Sequence, residues 1–246
     1  MDNTQRMIEL LGRLRKQMNG AVSESMATNG EQYGLNYGVS VATVREIVAS
    51  VAKDYEFAKY LYRQQVRELK LAACHIADPK SVDTHEFPFW SRGIRNAELA
   101  EELAFALLSK IYDINSLMGI WTTESNELVA YAALMAASRN ERTTTEVAFI
   151  AVENAVRANP QSAYIADGVV ALVCYIASRD KSVKVGLPHL MERLAPCPTK
   201  AKIEEELAWR LEYIDELIEF NAINSRSTTL CDGGIFFCRS LDDPSR

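Results

Sequence analysis

Histidine, proline and glycine are sparse in this 246-residue chain, which holds 3, 7 and 11 of them. So few turn formers cannot punctuate a many-stranded sandwich or barrel, and they favour helices joined by short links. The histidines His75, His85 and His189 are too scattered for a histidine-based metal site. Cys74 and His75 are adjacent, so on a helix they point about 100° apart. No metal and no cofactor is expected. The 5 cysteines, Cys74, Cys174, Cys197, Cys231 and Cys238, are odd in number and form no CxxC. That pattern points to a reducing compartment without structural disulfides, with Cys74 and Cys174 as small core residues. The apolar uncharged runs Leu128–Ser138 and Gly168–Ser178 are 11 residues each, too short to span a bilayer. Asp2 and Glu9 interrupt the apolar stretch that a signal peptide needs. The expectation is a soluble, cytoplasmic protein with no membrane partner. A Walker loop, GxGxxG, HExxH, GxSxG and an EF-hand loop are also missing, which argues against the chemistries those motifs carry.

Charge is ordinary in amount and uneven in placement. The net charge is −6, and residues 81–180 hold 7 basic against 13 acidic residues, the most acidic part of the chain. A nucleic-acid binder usually shows a basic footprint, so any such surface here has to be local.

Helical periodicity runs through most of the sequence. Met7, Leu10, Leu11, Leu14 and Met18 make one apolar stripe. Later stripes include Leu99, Leu103, Leu107 and Ile111, then Ile165, Val169, Leu172 and Ile176, and finally Ile203, Leu207, Leu211, Ile214 and Ile218. A break falls near Gln64, Asn159–Pro160 and Pro196–Cys197–Pro198 interrupt the pattern again, and Thr143 with Glu146 has capping-box spacing. The spacing predicts roughly ten to twelve helices, with later ones starting near Asn96, Ser125 and Gln161, about 30 to 36 residues apart. Each pair of such helices leaves an apolar face uncovered until the next pair stacks on it. The predicted fold is therefore an all-α, HEAT-like helical-repeat solenoid, an α-α superhelix with a concave groove. Residues 1–223 read as a single domain and 224–246 as a weakly ordered tail. The apolar runs Val147–Val152 and Gly168–Ser178 predict helices in the middle of the stack.

Candidate functional residues sit between helices. Arg92 with Arg95, Arg139 with Arg142, and Arg179 with Lys181 each occupy a predicted link. Such positions can simply compensate the C-terminal helix dipole. They can also track phosphates if successive repeats bring them onto one rim. Trp90 lies beside the first pair and can stack on a base or an abasic gap, although packing is the commoner use of tryptophan. Glu98 and Glu102 share a helix face at i, i+4, which reads first as a solvated surface.

The N-terminal part resembles the AlkD-type DNA alkylation-repair proteins. The resemblance rests on Met26–Ala27, Tyr37–Gly38–Val39 and the helix through Val44-Arg45-Glu46-Ile47. It continues through Val66-Arg67-Glu68-Leu69-Lys70-Leu71-Ala72-Ala73 and Tyr131-Ala132-Ala133-Leu134. It implies the HEAT-like fold, duplex DNA in the concave groove, and an aspartate that stabilises the cationic sugar during excision of N-alkylated purines. The family's aspartate falls on or beside Ala100, with Glu101 the nearest carboxylate and the catalytic candidate, and its phosphate-clamping arginine falls on Tyr131. The resemblance thus implies a divergent member that binds DNA through Trp90, Arg92, Arg95, Arg139 and Arg142, with both excision residues replaced. The alternative is a non-enzymatic HEAT-repeat scaffold whose acidic middle draws a basic protein or peptide.

Overall fold

The computed structural model describes the backbone of residues 2–28 and 33–227 and the side chains of 2–28 and 33–212. Among the described residues there are thirteen α-helices, two short 3-10 turns and no strand, only an isolated bridge between Leu35 and Val66. Helix α1 is Asn3–Arg15 and α2 is Gly20–Thr28. The remaining helices form two rows. The first holds α3 (Val41–Val48), α5 (Arg67–Ile76), α7 (Ala97–Ala106), α9 (Glu127–Ala137), α11 (Ala163–Arg179) and α13 (Pro198–Ser227). The second holds α4 (Tyr55–Tyr62), α6 (Phe87–Ser91), α8 (Ile114–Trp121), α10 (Thr145–Ala158) and α12 (Ser182–Arg193).

Local chemistry sets the helix starts. Asn96 accepts from the Leu99 amide, Asn126 from the Leu128 amide and Ser162 from the Ile165 amide, each at 3.0–3.1 Å. These side chains satisfy amides that have no partner inside the helix. All three lie within a residue of a predicted start. The capping box does not form: α10 has Thr144 as its N-cap without a side-chain bond. Thr143 instead donates its hydroxyl to the Ala137 carbonyl at 2.7 Å, holding the link against the preceding helix.

Packing follows side-chain size. Helix α9 buries Ala130, Ala132, Ala133, Ala136 and Ala137, which lets neighbouring backbones come close on several sides. Gly168 of α11 sits against Leu134 and Tyr131, where an added Cβ would lie 3.1–3.2 Å from their side chains. First-row helices pack on one another more extensively than second-row helices do, the pattern expected for the inner, concave side of a helical-repeat stack. Members of that row run parallel. Arg67 at the start of α5 pairs with Glu98 at the start of α7, and Arg139 just beyond α9 lies over Phe105 near the end of α7.

The buried apolar side chains form one cluster from Leu10 to Leu207. Helix α11 is mid-stack as expected, but α10 lies in the second row and leaves Ile150 exposed. Helix α13 continues through Ser227, and the predicted tail beyond it falls outside the described residues. Among the described residues no helix is long and apolar enough to cross a membrane.

Candidate nucleic-acid interface

The concave floor is built from side chains at i, i+3/i+4, i+7 spacing that point away from the second row. Helix α7 presents Glu98, Glu101 and Phe105, α9 presents Leu128, Tyr131 and Met135, and α11 presents Tyr164 and Asp167. Beside them, Glu102 of α7 reaches back toward α3 and α5.

Most carboxylates on this floor are neutralised within the fold. Glu102 is almost fully buried and accepts from Arg45 Nη2 at 2.6 Å and Arg45 Nε at 3.0 Å, a bidentate pair. The His75 Nε2 meets the same carboxylate. Burial alone would push the Glu102 carboxyl up, but the hydrogen bonds and charges of His75 and Arg45 outweigh it and hold the group down at about 2. Glu98 pairs with the buried Arg67 guanidinium and accepts the Tyr33 hydroxyl at 2.7 Å. Arg67 also donates to the Val39 carbonyl at 2.6 Å. Its neighbour Glu68, fully buried, accepts the Tyr37 and Val39 amides at 3.2 Å. The chain passes this clamp through Gly38 at φ +69°, a left-handed conformation that favours glycine. The reading of Glu98 and Glu102 as a solvated face is therefore corrected: both are structural anchors. Their partners are 31 and 57 residues away in sequence, so helix spacing alone could not reveal them.

Glu101 differs from its neighbours. It accepts the Tyr131 hydroxyl at 2.9 Å and forms no ion pair among the described residues, although Arg139 stands close enough to feel its charge. Burial, with the charge of Glu101 next, pushes the Tyr131 phenol well above its ordinary range, so the phenol stays a donor to the carboxylate. The Tyr131 ring lies 5.4 Å from that of Tyr164, and Asp167 is paired with Lys202 at 2.6 Å. Ala100, on or beside which the resemblance sets the family's aspartate, is completely buried and carries no polar group.

The predicted basic residues do not share a rim. Arg92 and Arg95 precede α7, whereas Arg139 and Arg142 follow α9. Because α7 and α9 run parallel, the two pairs occupy opposite edges of the concave face. Counting whether a link enters or leaves the first row would have exposed this. All four are exposed. Arg139 stacks over Phe105 at 4.0 Å and donates to the Ser138 hydroxyl at 3.2 Å, leaving most of its fork unused. Arg142 stacks on Tyr112 and stands 3.6 Å from the exposed Glu141. Among the described residues Arg92 and Arg95 have no hydrogen-bond or acidic partner. Arg179 answers to the structural reading instead, since it donates to the Glu141 carbonyl at 2.8 Å. Trp90 is corrected as a stacking platform. It is fully buried, packs on Tyr62 at 4.7 Å, and donates its indole N–H to the Tyr55 hydroxyl at 3.1 Å.

Comparison with known proteins adds two findings. A family model described as DNA alkylation repair enzyme matches residues 10–159, more than half of the chain. A solved structure described as "A new family of proteins related to the HEAT-like repeat DNA glycosylases with affinity for branched DNA structures" shares the fold, with a TM-score of 0.62 at 17% identity over 85% of this chain and 94% of its own. No curated protein matches the chain.

Proposed function

We propose that this chain, which belongs to the DNA alkylation repair enzyme family, holds duplex DNA across its concave face, one phosphate row on each rim, without the family's excision carboxylate. The observation that carries this reading is the placement of Arg92 and Arg95 on one edge and Arg139 and Arg142 on the other. The edges are separated by helices of 10 and 11 residues. At 1.5 Å per residue that is about 15 Å, and arginines reaching inward from both sides suit phosphate rows flanking a major groove about 12 Å wide. The floor between them carries little free negative charge, because Glu98, Glu102 and Asp167 are paired internally. That pairing also weakens the alternative of a scaffold for basic peptides.

Excision needs a carboxylate aimed at the sugar. Buried Ala100 supplies none, and Glu101, one helical step on and bonded to Tyr131, is the nearest substitute, since Glu98 is already paired with Arg67. The test is binding of labelled plain duplex, duplex containing 7-methylguanine and a branched junction at low and moderate salt, with base release measured alongside. Binding that weakens with salt is expected, and replacing either arginine pair by alanine should cut the log–log salt slope by up to about 2, at about 0.9 per phosphate. No retention of any DNA at either salt overturns the reading. Release of 7-methylguanine that disappears in Glu101→Gln would show that excision survives through that residue.

A further inference from the structure

On the edge that carries Arg92 and Arg95, four cationic side chains converge on one shallow pocket. It has a volume of about 210 Å³ and is lined by Tyr62, Arg63, Gln65, Lys70, Phe89, Arg92, Gly93 and Arg95. No acidic residue lines it. Its wall is rigid. The Tyr62 ring packs on Phe89 and Trp90 at 5.7 and 4.7 Å, and the Tyr62 hydroxyl donates to the Trp90 carbonyl at 2.9 Å. Gly93 lies flat against that ring, and a Cβ there would come within 2.3 Å of it. Trp90 thus shapes this pocket from behind rather than meeting a ligand.

The pocket holds no counter-charge: Lys70 lies over the Tyr62 ring at 4.9 Å and Arg63 over Phe89, and no carboxylate lines it. Lys70 is 8% exposed, yet its ammonium has one hydrogen-bond acceptor, the Tyr62 carbonyl at 2.7 Å. Two of its three donor positions are left without a protein partner among the described residues. Burial, with the charge of Arg95 next, pulls the Lys70 ammonium below its ordinary range, the direction expected when a cation lacks a counter-charge. Arg63 stacks its guanidinium on Phe89 at 5.3 Å and meets no carboxylate among the described residues. Burying a cation among like charges is unfavourable unless an anion completes the set.

We infer that Arg63, Lys70, Arg92 and Arg95 form a seat for one phosphate group, with Lys70 as its fixed base and the three arginines closing over it. An arginine fork suits a phosphate, and a lysine supplies a point charge. The seat extends the DNA reading above by adding Arg63 and Lys70 to that rim, and it rests on that reading only for the source of the phosphate. The group can come from an internal position of a DNA strand or from a free or terminal phosphate.

The experiment measures the melting temperature of the full chain in inorganic phosphate at fixed ionic strength, with chloride as the balance. At 100 times its dissociation constant, phosphate should raise the Tm by about 5 °C or more. An Arg63→Ala/Arg95→Ala variant, both positions exposed, should lose the shift, while Arg139→Ala/Arg142→Ala should keep it. No shift in the parent chain, or an equal shift in the Arg63/Arg95 variant, overturns the seat. Two further ligands distinguish the sources. Loss of duplex binding in the Arg63/Arg95 variant identifies a strand phosphate. Unchanged duplex binding, with retained preference for a 5′-phosphorylated over an unphosphorylated oligonucleotide in the parent only, identifies a terminal one. A chain that takes phosphate in the seat and binds no duplex would leave the seat standing and remove the groove reading.

Discussion

The buried carboxylate of Glu102 gives the sharpest quantitative test of how the concave floor is held. Its side chain is 5% exposed and it joins α7 to Arg45 of α3 and His75 of α5. The carboxyl is held down from 4.5 to about 2. A shift of that size corresponds to about 3 kcal/mol, at about 1.4 kcal/mol per pH unit. Arg45 is half exposed, so water recovers part of this when the pair is broken, and about 2 kcal/mol is the better expectation. The folded value is depressed, so the contribution is fully present above the unfolded carboxyl's pKa and is lost as pH falls from about 4.5 through about 2. Glu102→Gln keeps the shape and removes the charge. Urea unfolding at several pH values should show the variant less stable by about 2 kcal/mol at pH 7, with the difference shrinking toward zero near pH 2. A difference that stays constant across that range, or one below about 0.5 kcal/mol at pH 7, would refute the assignment of Glu102 as a floor anchor.

Three further outcomes follow from the packing. Trp90→Ala should cost about 3–5 kcal/mol in unfolding by removing a fully buried ring, and tighter or unchanged stability would contradict its placement. Gly38→Ala should destabilise by more than about 1 kcal/mol, because φ is +69° and the new Cβ would lie 2.0 Å from the Asn19 carbonyl oxygen. A thermal melt as good as the parent's would exclude that strain. Tyr131→Phe should lower stability by about 0.5–1.5 kcal/mol through loss of the bond to Glu101, read by calorimetry against Tyr164→Phe as a control without that bond.

What the sequence discloses about this fold is local. Asn96, Asn126 and Ser162 mark helix starts because a short polar side chain before an apolar stripe has one main use. The all-α stack follows from stripes at helical spacing, and the structure has it. Long-range partners are another matter. Arg45 and Glu102 each look like ordinary surface residues until α3 and α7 are brought together. One signal was available: α5 runs Arg67-Glu68-Leu69-Lys70 into a stretch that is buried almost throughout, and charges on a helix buried on all sides demand partners. Trp90 misled because tryptophan beside arginine suggests stacking, whereas Tyr55, Tyr62 and Phe89 around it make a packing cluster. Glu101, Tyr131 and Ala100 owe their interest to the family pattern rather than to any periodicity.

The acidic middle of the chain also has to be judged by what each carboxylate does. Glu86 is taken by Lys59, Glu153 by Arg193, Asp167 by Lys202, Glu98 by Arg67 and Glu102 by Arg45. A charge spent inside an ion pair falls off within a few ångströms and contributes little to the field a ligand meets. The cations without an ion pair at the edges, among the described residues, are Arg63, Arg92, Arg95 and Arg139, with Arg142 only 3.6 Å from the exposed Glu141, and on the floor the carboxylate without an ion pair is Glu101. A chain of net charge −6 can therefore present phosphate-sized positive sites on its rims, and its affinity for nucleic acid depends on those few arginines more than on its total charge. It also follows that Glu101 works against binding unless it meets a developing positive charge, which makes Glu101→Gln tighter on plain duplex the natural companion to any loss of excision.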